Sequence, residues 1–167
     1  ETGLMHVVGK SVIRTRKGEV VHTNDGTYNS KTDNMELRGF STIKSPERDV
    51  EGDNITYNST TGDAEGHGNV KIVDKINKRI MTGDEVIYNS KTGHTEGYGN
   101  VKIIDNKERR TIIGENVVYN SQTGHSEGHG NVKIVDAVKQ RTITGDNLIY
   151  NSKTHEGEGT GNVHYID

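Results

Sequence analysis

The chain has 167 residues and a formal net charge of -3, from 21 basic and 24 acidic residues. This fits one domain and gives no basic field for nucleic acid. Cysteine is absent, which excludes disulfides and thiolate metal sites, and no apolar run approaches the ~20 residues of a membrane-spanning helix. Val and Ile supply 31 of the 47 hydrophobic residues. Because β-branched side chains favour strands, we predict an almost wholly β chain with a narrow core.

The N-terminal part of the chain is irregular. Short β-like runs such as Val7-Val8 and Val20-Val21 precede a YNSKT phrase that begins at Tyr28. Terminal repeats are commonly atypical because they cap a stack. We therefore predict one domain over 1–167, with an N-terminal cap over 4–27 and five repeats over 28–167, the first of them irregular. The chain lacks an initiating Met and stops inside a predicted strand, so we also expect a processed or trimmed piece.

The rest of the chain repeats with a fixed period of 31 residues. Equivalent tyrosines mark the copies at Tyr57, Tyr88, Tyr119 and Tyr150. Such a period predicts stacked supersecondary units that bury their apolar faces against their neighbours. Within one copy we predict two strands, Arg79–Asn89 and His94–Asp105, joined by a four-residue loop. The connections are too short for parallel crossovers, so the pattern predicts successive antiparallel hairpins.

Each predicted strand carries glycine near its middle. A strand of eleven or twelve residues would be about 40 Å long, which is more than strands usually run. With Asn89 opposite His94, Gly83 faces Asn100, and the glycines of all copies fall in one band across the sheet. We predict that the sheet creases along this band, with a bulge that turns the apolar residues of both halves toward one inner wall.

Period-two alternation selects the side chains of this inner wall and leaves Lys71, Lys102 and Lys133 outside. Two interpretations remain open. The inner side chains fill a closed β-sandwich core, or they line an apolar trough for a long acyl chain with a polar rim. The predicted groove-lining residues are Ile55, Tyr57, Val70, Ile72, Met81, Val86, Tyr88, Val101, Ile103, Ile112, Val117, Tyr119, Val132, Ile134, Ile143, Leu148 and Tyr150.

Polar residues recur in several copies instead of forming one asymmetric constellation. His67 and His129 are matched by Tyr98 and Thr160 in sister copies, which argues against a required metal ligand or catalytic base. We predict no catalytic residue, no metal and no cofactor, and hence no enzyme. The asparagines after the tyrosines favour a structural role, either turn capping or a stacked asparagine ladder. A glutamate ladder could gather cations, but its position favours a solvated turn edge; it comprises Glu65, Glu96, Glu127 and Glu158.

The recurring words GD-x-x-x-YN and GNV-x-I, as in GDEVIYNSKTGHTEGYGNVKI, extend from Tyr28 to Val163. These repeated motifs resemble those of the OstA-like family, the lipopolysaccharide-transport proteins that include LptA and the periplasmic domain of LptD. The resemblance implies a V-shaped β-jellyroll of stacked antiparallel strands whose apolar groove shields lipopolysaccharide acyl chains in the periplasm of a Gram-negative bacterium, during outer membrane biogenesis.

The same resemblance implies the partners. They are lipopolysaccharide or a related lipid, other jellyroll modules of the export bridge joined by edge-strand pairing, and a further copy of the chain in a head-to-tail arrangement. Outer-membrane association is a second location that it allows.

A different class of function is also compatible with the repeats. A structural or glycan-binding β-solenoid would present exposed Tyr, Asn and Glu ladders, and it predicts parallel coils around a closed core. A β-helix polysaccharide lyase or hydrolase would need acidic or basic residues unique to one coil, which the repetition disfavours.

Overall fold

A computed structural model describes residues 3–167, and every regular element in this part of the chain is a β-strand. No helix among these residues is long and apolar enough to cross a membrane. The strands are β1 (Leu4–Arg14), β2 (Val20–Asn29), β3 (Asn34–Lys44), β4 (Arg48–Asn58), β5 (Ala64–Asp74), β6 (Arg79–Asn89), β7 (His94–Asp105), β8 (Arg110–Asn120), β9 (His125–Asp136), β10 (Arg141–Asn151), β11 (Glu156–Thr160) and β12 (His164–Ile166).

The strands form one sheet in chain order from β1 to β11, and β12 pairs with β10 beyond the end of β11. Every pairing is antiparallel. The predicted strands Arg79–Asn89 and His94–Asp105 are β6 and β7. The all-β antiparallel fold is therefore confirmed, and the parallel coils of the solenoid alternative are wrong.

A bulge crosses the sheet at the glycine band. Between β6 and β7 the register shifts after the pair of Thr82 with Lys102, so the predicted pairing of Gly83 with Asn100 is wrong by one residue. The extra residue is accommodated because Gly99 and Asn100 both adopt left-handed conformations, with φ of 69° and 52°. The same Gly-Asn pair has positive φ in β5 and β9. The predicted crease therefore runs through a row of bulges.

The sheet folds over along this crease. Tyr88 in β6 pairs with Ala64 at the start of β5, and Asp74 is ten residues after Ala64 at the end of β5. If β5 were straight, Asp74 would lie about 33 Å from Ala64 and thus far from Tyr88. The Tyr88 hydroxyl nevertheless donates a hydrogen bond to the Asp74 carboxylate. Thr95 likewise reaches Met81 across the fold, with its hydroxyl 3.4 Å from the sulfur. We call the half that begins at the repeated arginines the arginine leaf, and the half that ends at the repeated tyrosines the tyrosine leaf.

The core lies between the two leaves. Buried hydrophobic residues form one continuous cluster from Ile13 in β1 to Tyr150 in β10. Met81 and Val86 have opposite parity along β6, yet both are buried, because the bulge reverses the alternation between the leaves. The predicted outward lysines are exposed. The inner wall therefore draws its side chains from both halves of each strand.

The hairpin turns beside the tyrosines are capped by asparagine side chains. The side-chain oxygen of Asn89, Oδ1, accepts hydrogen bonds from the backbone N–H and the hydroxyl of Thr92, at 2.9 and 2.8 Å. Asn58 and Asn120 accept equivalent bonds in their own turns. This confirms the turn-capping role. The division into a cap over 4–27 and five repeats over 28–167 stays a prediction, since β1 and β2 continue the same sheet.

Candidate functional site

The predicted groove-lining residues converge on one interior between the leaves. All of them except Ile143 are buried, with exposed fractions of 4% or less, and Ile143 packs against the same cluster while half-buried. Sequence periodicity thus selected side chains that meet in space although they come from seven strands. Their role in lining a groove for a lipid stays a prediction.

The middle of this interior is packed. Side chains such as Ile72, Tyr88 and Ile103 are 0–1% exposed, which means that water-sized space beside them is absent. A groove wide enough for an acyl chain would expose them. In this conformation the central side chains contact each other, as the closed-core interpretation predicts, and a lipid would reach them only if the leaves separated.

The interior opens at its C-terminal end. There the final partner of β10 is interrupted between β11 and β12, and both of these short strands are exposed. A cavity of about 240 Å³ lies between them and β10. Its apolar walls include Ile134, Ile143, Leu148, Val163 and Tyr165. The apolar cluster therefore meets a solvent-open cavity at this end.

The edge of the fold opposite the crease is closed by hydrogen bonds between the leaves. The Tyr119 hydroxyl donates to the Asp105 carboxylate at 2.8 Å, and Tyr88 makes the same bond to Asp74. Burial and the neighbouring carboxylate raise the pKa of Tyr88 to about 12 and that of Tyr119 further still. Both phenols therefore stay protonated and remain donors at neutral pH.

Buried ion pairs support the same edge. Arg79 Nε lies 2.9 Å from Asp105 Oδ2, and Arg110 lies 3.3 Å from Asp136 Oδ2. All four side chains are 7% exposed or less. The guanidinium of Arg110 also lies 5.9 Å from the ring centroid of Tyr150. We call these linked Tyr, Asp and Arg side chains the latch.

Sequence reasoning missed the latch. Its signal was present, because arginine recurs every 31 residues from Arg48 to Arg141 and aspartate from Asp74 to Asp167. Strand register places each arginine beside the aspartate 26 positions later, as in the pair of Arg110 with Asp136. Charged residues at strand ends resemble solvated turn residues in sequence, so only the fold-over of the leaves reveals that they are buried.

The glutamate ladder lies on the outer surface of the tyrosine leaf, and each central glutamate has a polar neighbour. His94 lies 2.8 Å from Glu96, and the Tyr98 hydroxyl donates to the same carboxylate. These hydrogen bonds, with His94 the larger cause, lower the pKa of Glu96. The ladder is half-buried to exposed, as a solvated edge would be.

One histidine on this surface lies between two carboxylates. His67 contacts Glu65 at 3.0 Å and Glu85 at 3.5 Å, and potential ligand atoms of the three lie within 4.8 Å of one another. Glu85 is replaced by Asn in the next two copies. Glu65 and His67 are exposed and Glu85 is half-buried, and the two ring nitrogens of the histidine face different carboxylates.

Comparisons with known proteins leave the chain without an assigned family. No family model matches it, and no curated protein matches it. A solved structure does match: LptH, the LptA-homologous periplasmic component of the lipopolysaccharide transport device of Pseudomonas aeruginosa. The match has 9% sequence identity and a TM-score of 0.33, and it covers 90% of this chain and 95% of that chain. At this level of similarity it assigns no function.

Proposed function

We propose that this chain is a non-catalytic periplasmic module that shields acyl chains of lipopolysaccharide during transport to the outer membrane. The observation that carries the proposal is the continuous apolar cluster between the leaves, which reaches a solvent-open cavity at the C-terminal end. The lining of that cavity combines apolar side chains with polar ones such as Arg141 and Glu158. A lipid tail placed there gains about 0.8 kcal/mol for each methylene that it removes from water. The repeated wording that resembles the OstA-like family supports the same function.

In this proposal the end cavity admits the acyl chain first. Leu148 and Ile143 form its floor and belong to the same inner wall as the central residues. Deeper entry requires the latch to open, so that the two leaves separate and side chains such as Val86 and Val117 become lining residues. The predicted groove-lining set then describes the loaded state, and the packed interior describes the empty state.

Partners join at the two ends of the sheet. The outer edge of β1 and the edges of β11 and β12 carry exposed apolar side chains, including Val8 at 79% and Ile166 at 64%. Unpaired strand edges are templates for β-augmentation. We propose that related modules, or a further copy of this chain in head-to-tail order, add strands at these edges and extend the apolar interior across the junction.

A purely structural role is the second candidate, and the packed middle of the interior favours it. Side chains that are 0–1% exposed form a closed core between the leaves. In that case the chain holds other domains at a fixed distance, or it binds glycans on the repeated Tyr, Asn and Glu side chains of its outer surface. The end cavity is then the place where a neighbouring domain packs.

Site-specific photocrosslinking separates these candidates. A photoreactive phenylalanine analogue replaces Tyr165, which lines the end cavity and is 54% exposed. The matched control carries the analogue at Tyr98, which is 40% exposed on the outer surface of the tyrosine leaf. After incubation with lipopolysaccharide, we expect adducts at position 165 and a background level at position 98.

Two further measurements complete the design. The deacylated polysaccharide should give no adduct at position 165 if the acyl chain is what binds. Hydrogen exchange at the amides of β6 and β8 should rise on lipid addition if the leaves open. Equal adducts at both positions, or none at either, would leave the structural role as the function of this chain.

A further inference from the structure

Arg48 differs from its relatives in the latch. Arg79, Arg110 and Arg141 each have an aspartate within 2.9–3.4 Å. Arg48 is 6% exposed, and within residues 3–167 no carboxylate lies at ion-pair distance from it. Its Nε is buried without a hydrogen-bond partner. One nitrogen of Arg79 and two of Arg110 are also unpartnered, but those guanidinium groups each have one carboxylate at ion-pair distance.

The register gives Arg48 one neighbouring aspartate, whereas Arg79 has two. Arg79 lies between Asp74 and Asp105 on its two neighbouring strands. Arg48 also has Asp74 on one side, but the turn on its other side places Ser45 there, where its hydroxyl accepts from the Arg48 N–H at 2.8 Å. The aspartate that precedes every other latch arginine is missing at this end.

Asp74 does not compensate, because other donors occupy it. Asn77 donates to both of its carboxylate oxygens, each at 2.8 Å, and Tyr88 donates to one of them. Arg48 instead lies beside the Tyr57 hydroxyl and 5.3 Å from the ring centroid of Tyr88. Aromatic neighbours hold the guanidinium in place without neutralising it. Asp74 is close enough to attract the guanidinium electrostatically, but it is not at ion-pair distance. A buried cation without a contacting carboxylate is costly, so this one attracts an anion.

An open cleft of about 410 Å³ adjoins the guanidinium. Ser59 lines it too, and its hydroxyl is buried without a partner. Three other charged side chains line the cleft, and two of them are carboxylates. Lys17 is paired with Asp33 at 2.7 Å, and burial raises the pKa of Glu19. The third, Glu47, is exposed to solvent. Arg48 is therefore the cation of the cleft that has no carboxylate at ion-pair distance.

We propose that this cleft binds the carboxylate of a small organic acid, with the Arg48 guanidinium as counterion and the Ser59 hydroxyl as a second donor. The chemistry follows from the sister copies, where the equivalent guanidinium is satisfied by a carboxylate. A single positive charge matches a monoanion, and the planar guanidinium matches the planar carboxylate group. Tyr57 is the lining residue that the cleft shares with the apolar cluster. The proposed contacts are to Arg48 and Ser59, so the inference goes beyond lipid binding and does not depend on it.

Nitrogen-15 NMR of the whole chain tests the proposal. Acetate and pyruvate are titrated at constant ionic strength, with chloride and inorganic phosphate as competing anions. We expect saturable shifts of the Arg48 Nε–H signal and the Ser59 amide with the two carboxylates, and smaller linear shifts with chloride. Equal responses to all four anions, tighter binding of phosphate than of either carboxylate, or no response at Arg48 would overturn the carboxylate site.

Ser45→Asp supplies the matched variant. It restores the missing aspartate of the latch, so an internal carboxylate should fill the site, weaken acetate binding by roughly tenfold or more and raise the melting temperature. Gln122→Glu adds the same charge in an exposed turn far from Arg48 and should leave binding unchanged. If Ser45→Asp binds acetate as tightly as the parent chain, Arg48 is not the counterion and the proposal fails. Because the readout is acid binding in the absence of lipid, its failure is distinct from failure of lipopolysaccharide binding.

Discussion

The hydroxyl of Tyr119 lies 2.8 Å from a carboxylate oxygen of Asp105, fourteen residues earlier in the chain. The two residues stand at opposite ends of neighbouring strands, so this bond forms only when the sheet is folded along its crease. Asp105 also accepts from Arg79 Nε and from the backbone N–H of Glu108. One buried carboxylate therefore joins the two leaves and the adjoining turn.

Replacing the donor of this bond should weaken the closed edge. In Tyr119→Phe the ring remains, but the Asp105 carboxylate loses a donor in a buried site. Since hydrogen bonds to charged groups contribute about 1.5–3 kcal/mol, we expect the free energy of unfolding to fall by about that amount in urea denaturation. Tyr98→Phe removes an exposed hydroxyl that donates to Glu96, and this control should stay within about 0.5 kcal/mol of the parent chain. Equal effects from both changes would mean that the latch does not hold the leaves together.

Removing the charge of Asp105 should be more damaging. Asp105→Asn leaves Arg79 buried, at 6% exposure, without its counterion. Breaking a buried pair in this way costs about 3–5 kcal/mol, which guanidinium denaturation would measure. The control is Asp84→Asn. Asp84 is an exposed residue of the crease whose carboxylate accepts a hydrogen bond from Asn100, and this variant should lower the free energy of unfolding by less than about 1 kcal/mol. A small effect at Asp105 would indicate that water reaches the pair.

Alkaline pH should open the latch. The pKa of Tyr88 is raised from 10.0 to about 12, mainly by burial and also by its hydrogen bond to Asp74. The folded chain holds this proton more tightly than the unfolded chain. The protonated Tyr88 hydroxyl therefore makes its full contribution to the free energy of unfolding below about pH 10, and this contribution is lost as the pH rises from 10 to about 12. Urea denaturation across this range should show a falling free energy of unfolding. The fall should be shallower in Tyr88→Phe, and identical slopes would contradict the raised pKa.

Crowding at the crease should make substitution of one glycine destabilising and leave substitution of another nearly neutral. A Cβ on Gly97 would lie 2.6 Å from Val101 Cγ1, whereas the nearest atom to a Cβ on Gly52 lies 3.4 Å away. Neither residue has positive φ, so the comparison isolates space. Gly97→Ala should destabilise the chain by about 1–3 kcal/mol, and Gly52→Ala should change it little in thermal unfolding.

A second substitution checks the cause of that loss. Adding Val101→Ala to Gly97→Ala removes the methyl groups that the new Cβ would meet, so the double variant should lose less than the sum of the single changes. If the losses in unfolding free energy simply add, contact with Val101 is not the cause, and the destabilisation by Gly97→Ala comes from the backbone.

Local pattern explains how well the fold was predicted. The bounds of β6 and β7 follow from apolar alternation flanked by turn residues, and the crease follows from glycines that recur at one depth. The pairing of Gly83 with Asn100 was wrong because register past a bulge depends on two consecutive left-handed residues, Gly99 and Asn100. Asparagine and glycine both tolerate that conformation, but the sequence does not reveal whether one or both adopt it.

The candidate site was predicted less completely. Periodicity identified the inner side chains, yet it left open whether they would line a trough or fill a core. The angle between the leaves decides that question, and the angle depends on contacts between residues that are distant in the chain, such as Thr95 with Met81.

The sequence by itself therefore determined the strands, their antiparallel order, the crease and the identity of the inner wall, because each depends on alternation, turn chemistry and a 31-residue period that neighbouring residues carry. The tertiary structure alone decided that the leaves close, that Tyr119 and Asp105 meet, and that Arg48 is left without a carboxylate. These features arise when folding at the glycines removes strand ends from water, and the energetic role of a charged residue changes once it is buried.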